Sequence, residues 1–386
     1  MRRSERLAAI AAALVLVIGM GFGRFAFTGL YPLMVADGQI SVESGSYAAS
    51  ANYAGYLIGA FLAGFLLRMP SRKLCVFAVL TTAAMLGLLG LSLPEWLFVI
   101  VRGFAGVSSA IAFVAASHWL IHDRGHDHGA PLMFAGTGMG ILLSSEIITA
   151  GHLAGLSSRS IWLVLGLAAL ALAIITIIMQ ARTERSKLYA TSSWHGIGDN
   201  RSSQFEAIRF VLIYGLAGFG YIITATYLPL LIRTALVSVD PLHIWALFGL
   251  GAVPSCFLWH ALHARWGTAR SLMVNLLIQA GGAVLPIVHT STAYIVSALL
   301  VGGTFMGTVT IVMPAARKVA AKLRFNILAI MTASYGVGQI IGPLIAGALY
   351  GKTQSFDASL LLAGTALLIA AALSHCSGEE RRFRLT

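Results

Sequence analysis

Gly21-Phe22-Gly23-Arg24-Phe25-Ala26-Phe27-Thr28-Gly29-Leu30-Tyr31-Pro32-Leu33 is the stretch on which the reading of this chain turns. It closes an apolar run that begins near residue 7 and contains no acid beyond its start. A run of that length suits a membrane-crossing helix, which needs about 20 mainly apolar residues. Its outline returns 197 residues later: Gly218-Phe219-Gly220 matches Gly21-Phe22-Gly23, Pro229-Leu230 matches Pro32-Leu33, and Arg265 matches Arg68 at the same offset. Three matches in one register indicate a duplicated unit. Parallel repeats of this kind are a transporter design, with the site between the repeats near mid-membrane.

Composition agrees. Of the 386 residues 58% are hydrophobic and 10% charged, with mean hydropathy +0.84, against roughly 25% charged in soluble domains. That excludes a soluble enzyme, a disordered tail protein and a nucleic-acid binder. Twelve apolar stretches of spanning length are found, near 7–33, 46–67, 74–93, 96–119, 130–152, 160–181, 207–232, 241–263, 271–288, 291–315, 325–349 and 356–375. The longest polar stretch, 182–206, divides them six and six. The expected fold is therefore an all-α membrane protein of twelve transmembrane helices: an N-terminal half at 1–181, a linker at 182–206 and a C-terminal half at 207–386. Arg2, Arg3 and Arg6 before an apolar run resemble a signal peptide, but no small-residue cleavage site interrupts the run, so it is taken as an uncleaved first span.

With the N-terminus inside, 21 of the 26 Lys and Arg fall in inner segments and three, Arg159, Arg233 and Lys352, in outer loops. Positive charge accumulates on the cytoplasmic side, so both termini are expected there, in a bacterial inner membrane. The remaining two, Arg24 and Arg102, lie within spans. Three scattered cysteines, Cys75, Cys256 and Cys376, fit neither a disulfide framework nor a zinc site.

The first-span stretch resembles the major facilitator superfamily, and within it the YbfB/YjiJ-type branch, over nearly the whole chain. Arg102-Gly103-Phe104-Ala105-Gly106 is similar to the family's Arg-and-Gly motif, and Tyr335-Gly336-Val337-Gly338-Gln339 with Gly342-Pro343 to its Gly-Pro motif. The resemblance implies two pseudo-symmetric six-helix halves around a central cavity lined by spans one and four and bordered by span five. The inner loop between spans two and three keeps Gly64, Arg72 and Lys73, but Arg68 stands where the family pattern has Asp, which puts the usual charge latch there in doubt.

Ionisable groups inside a span cost about 2.5–3.5 kcal/mol each on insertion scales and default to functional candidates. Of 14 acids only Glu146 lies well inside a span. At 1.5 Å per residue Arg24, Arg102 and Glu146 all lie roughly 8–15 Å below the outer surface. The expectation is an anion site at Arg24, with Glu146 as proton carrier and Arg102 as its partner. A static ion pair that only fixes helix packing is the alternative. Polar residues at helical spacing extend the candidate binding set to Thr28, Tyr31, Tyr53, Tyr56, Tyr221, Thr224, Thr308, Tyr335 and Gln339, with interhelical hydrogen bonding as the alternative for each. His118, His122, His126 and His128 with Asp123 and Asp127 read as a solvated inner loop rather than a metal site, and no cofactor is implied.

Neither His-Glu-x-x-His, Gly-x-Ser-x-Gly nor a Walker A motif is present, and no soluble domain is large enough for a receptor. The expected function is secondary active transport, not enzymatic catalysis: a small, anionic organic solute moved by symport with protons through alternating access. Proton-coupled efflux of drugs or amphiphiles is the alternative. The expected partners are the solute, protons and the lipid bilayer, with no nucleic acid, for a chain working as a monomer.

Overall fold

The computed structural model describes residues 3–66, 69–183, 201–235, 241–320 and 327–375, and among these the regular structure is helical throughout. Arg3–Leu16 (α1), a π-helical segment Val17–Phe25 and Ala26–Ala36 (α2) run on continuously. Then follow Val42–Leu66 (α3), Ser71–Leu89 (α4), Glu95–Ser117 (α5), Ala130–Leu153 (α6), Ser158–Thr183 (α7) and Arg201–Ala235 (α8). Pro241–Val284 (α9), Ser291–Ala320 (α10), Ile327–Thr353 (α11) and Asp357–His375 (α12) complete the chain.

Among the described residues eleven helices are long and apolar enough to cross a bilayer, where the sequence pattern gives twelve stretches. The difference lies in α9. The stretches expected at 241–263 and 271–288 are joined without a loop, and two helices meet at a kink at Gly267, with φ 75° and ψ 178°. Lacking a Cβ, glycine takes that conformation freely. Of the linker expected at 182–206, the described residues belong to the end of α7 and the start of α8, and 184–200 lie outside the described residues.

Helix ends follow the local chemistry. Pro70 and Pro94 precede α4 and α5 with ψ of 125° and 150°, since proline cannot donate within a helix but tolerates its start. On the face opposite the start of α1, loop acids satisfy backbone donors. Asp37 Oδ2 accepts the Ser158 N–H at 2.7 Å, and Glu95 accepts the Ser41 N–H at 2.8 Å and the Ser44 hydroxyl.

The helices pack through small residues. Gly19, Gly21 and Gly23 face Ala112, Gly140 and Thr82 respectively. A Cβ on Gly21 would lie 2.3 Å from Gly140 Cα, so only glycine permits that approach. The π segment and α1 thus pack on α6, α3 packs on α5, and α4 packs on α5 and α7. Further along the chain α8 packs on α11 and α12, and α9 on α10, while α3 meets α11 and α6 meets α9. Large apolar side chains such as Phe65, Leu153 and Leu167 are exposed on the perimeter. An apolar surface of that extent suits lipid rather than water.

Candidate functional site

The first helix loses its regular α turn at the three glycines. Across the π segment the Ala26 N–H bonds the Gly21 carbonyl, five residues back, a widening of one residue per turn that is common at functional sites. Three carbonyls of this segment are met from α5. Arg102 donates through Nη1 to the Gly23 carbonyl at 3.0 Å and through Nη2 to the Arg24 carbonyl at 3.3 Å. Ser109, two turns along α5, donates to the Gly19 carbonyl at 2.5 Å. The Arg102 guanidinium also lies 4.4 Å from the centre of the Phe27 ring. Arg102 therefore holds the backbone that presents Arg24.

Arg24 itself is 3% exposed. Its Nη2 donates to Gln339 Oε1 on α11 at 2.6 Å, and Gln339 Nε2 donates in turn to the Tyr221 hydroxyl on α8. The rings of Tyr56, Tyr53 and Phe25 surround the guanidinium at 4.3, 4.9 and 5.3 Å, a favourable arrangement worth about 0.5–2 kcal/mol per ring. The buried Nε–H has no acceptor, and among the described residues no carboxylate pairs with Arg24. A guanidinium is charged at any pH of interest. An unpaired buried charge is unfavourable unless something compensates it.

Arg24 and Gln339 stand at one end of a cavity of about 110 Å³. Its wall continues toward the face where α1 begins, through Met20, Ala60, Val114, Tyr214, Met313 and Thr332. On the other side of Arg24 the helices are packed shut. The Tyr227 hydroxyl, with one proton to give, lies 2.8 Å from Ser46 Oγ and 3.0 Å from the Pro343 carbonyl oxygen. Its ring meets those of Tyr31 at 6.4 Å and Phe356 at 4.5 Å. The Trp245 indole closes α9 onto the Phe25 carbonyl at 3.1 Å.

The structure brings Arg24, Tyr53, Tyr56, Tyr221, Tyr335 and Gln339 together, as the sequence suggested. It sends others elsewhere. Tyr31 donates to the Val42 carbonyl at 2.7 Å and belongs to the closed side. It stands about two turns, roughly 10 Å, beyond Arg24 along the helix, so a shared face does not bring it to the cavity. Thr28 is buried but does not line the cavity. Thr224 donates to the Ala283 carbonyl at 3.4 Å and Thr308 to Asn275 Oδ1 at 2.7 Å, both bonds between helices.

The pairing expected between Arg102 and Glu146 is not formed. Glu146 is exposed, in a stripe with Met139, Leu143 and Leu153 on α6. The helical spacing of that stripe points it away from the packed face. Gly64 has open space around it, Arg72 is half-buried, Lys73 is exposed, and Arg68 lies outside the described residues. In the histidine loop His118 contacts Ser71 Oγ at 2.8 Å and Asp123 at 3.3 Å. Sequence reasoning missed the apolar wall, chiefly Phe25, Phe305, Met306 and Met313. Such residues are indistinguishable in composition from those that face lipid.

A family model described as "Uncharacterised MFS-type transporter YbfB" matches residues 16–375. A search of curated proteins finds no match to the chain.

Proposed function

The chain belongs to the YbfB-type family of major facilitator transporters, and from that premise we propose that it is a secondary active transporter of a small organic anion, coupled to protons and working by alternating access. The family and the apolar helices make it a multi-pass membrane transporter; solute and coupling are inferred from the site. The observation that carries the inference is Arg24, a buried cation with an unpartnered Nε–H at the end of a cavity. A bound anion would supply the compensating charge. The aromatic and Met-rich wall favours amphiphiles as the alternative cargo, and flux measured in both directions separates import from efflux.

In this reading α9 crosses twice about Gly267, giving twelve crossings, and residues 1–181 rock against 207–375. The Lys and Arg distribution supports termini on the cytoplasmic side of a bacterial inner membrane. A reporter enzyme fused after Arg185 should then read as cytoplasmic, and an external signal there would reverse the orientation. The chain is taken to work as a monomer without cofactor.

Alternating access requires the packed far side to open once per cycle. Ser46 and Gly347 face each other there, with a Cβ on Gly347 lying 3.0 Å from Ser46 Cβ. A slight relaxation reaches the 3.5–4.5 Å of a disulfide. The double variant Ser46→Cys/Gly347→Cys should lose uptake into proteoliposomes on oxidation, by at least tenfold, and regain it on reduction. Uptake undiminished by a formed cross-link would rule out opening at this seam.

A further inference from the structure

We propose that the cavity takes a small monocarboxylate whose uncharged remainder is apolar and planar, a single-ring aromatic acid being the type that fits. The proposal rests on the anion-transporter reading and narrows it to a substrate class.

Charge sets the first limit. Among the described residues Arg24 is the one charged side chain in the wall, and neither an acid nor a histidine lines it with Arg24. One guanidinium neutralises one negative charge. A second carboxylate would have to lie against Met20, Val309, Met306 and Met313, where an unpaired anion is strongly disfavoured. A cation would meet the guanidinium itself.

The wall sets the second. Arg24, Gln339 and the Tyr221 hydroxyl form one hydrogen-bonded group, and among the described residues the rest of the wall is apolar or aromatic apart from the neutral Thr332. Beyond them the rings run in sequence: Phe305 stacks on Tyr221 with centroids 5.6 Å apart, Tyr221 on Tyr335 at 5.8 Å, and Tyr335 on Tyr214 at 4.3 Å. Planar groups gain about 0.5–1.5 kcal/mol per well-placed ring beyond their area, and the methionines adapt to an apolar outline. A cavity of about 110 Å³ compares with about 150 Å³ for one that takes benzene, so a single ring is the most that it can admit. The carboxylate would sit on the Nε edge of Arg24, with the ring lying along Tyr221 and Tyr335 toward the face where α1 begins.

The test is binding to the purified full chain, by calorimetry and thermal shift, using benzoate, benzamide, phthalate, acetate and benzylammonium as probes. Benzoate should bind at least tenfold more tightly than each of the others. The neutral amide loses the charge-assisted bonds, acetate the ring, and phthalate the charge balance. Phe305→Leu should weaken benzoate about three- to tenfold and leave acetate unchanged; where that variant fails to fold, the ligand series alone decides. Phthalate or acetate binding as tightly as benzoate, and losing affinity in Arg24→Ala, would overturn the substrate class while the anion reading stands. Binding of the uncharged or cationic probes at least as tight as benzoate, or benzoate binding unaffected by Arg24→Ala, would overturn the anion reading and this proposal with it.

Discussion

Arg24→Ala is expected to abolish uptake of the transported anion, lowering affinity by more than 100-fold. Losing one member of a buried charge pair amounts to about 3–5 kcal/mol, and each tenfold is about 1.4 kcal/mol. Arg24→Lys should recover only part, because a point charge cannot replace the planar fork. The stability of the empty protein should move differently. With no carboxylate beside Arg24, removing the charge relieves its desolvation and loses only the Gln339 bond and the ring contacts. The apparent Tm without ligand should therefore stay level or rise, while the ligand-induced increase disappears. A large fall in the empty protein's Tm would make Arg24 a structural residue. Glu146→Gln should differ again. Because Glu146 is exposed and does not line the cavity, uptake and its response to a pH step should persist. Loss of accumulation with exchange retained would return the proton-carrying role to Glu146.

Arg102 should show the opposite pattern. Arg102→Met removes a guanidinium donor from each of the Gly23 and Arg24 carbonyls, and each such bond contributes about 1–2.5 kcal/mol. The summed effect, about 2–5 kcal/mol, should appear as a lower Tm and a smaller folded yield in detergent. Arg102→Lys can reach one carbonyl at most and should fall between. In whatever folded Arg102→Met protein is recovered, anion affinity should drop because Arg24 is no longer held, but not to the level of Arg24→Ala. Wild-type stability in Arg102→Met would mean that the π segment stands without help from α5.

The membrane-spanning helices were legible in the sequence because lipid leaves the backbone no alternative: apolar length and flanking charge suffice. The kink at Gly267 falls between the stretches expected at 241–263 and 271–288, but the two run on there without a loop. The site was legible where it is charged or amphipathic. Arg24 stood out as a cation inside a span, and Gln339 and Tyr335 as polar residues at helical spacing. Their meeting was not legible, since Arg24 and Gln339 are 315 residues apart and nothing local aims one at the other. Equal depth misled in two cases. Depth says nothing about azimuth, and the azimuths of Arg102 and Glu146 differ: one turns inward to the backbone of the first helix, the other outward. The π turn was equally hidden, because it follows from contacts of Gly19, Gly21 and Gly23 with three other helices.

Those three glycines also bear on the mechanics of the cycle. Gly21 seats the first helix directly on the Gly140 backbone of α6, and Gly19 and Gly23 seat it on the Ala112 and Thr82 side chains of α5 and α4 with none of their own between. Surfaces in that register cannot slide past one another by a fraction of a turn without collision. The first helix must then travel as one rigid piece with its neighbours, and Arg24 travels as cargo of that piece. Displacement is left to the seams where α3 meets α11 and α6 meets α9. On the proposed alternating access, the Arg24–Gln339 hydrogen bond would span the two moving pieces beside the cavity. In the proposed cycle it would act as a removable pin, re-formed or exchanged for the solute at each turnover, and its lifetime would bear directly on how fast the carrier turns over.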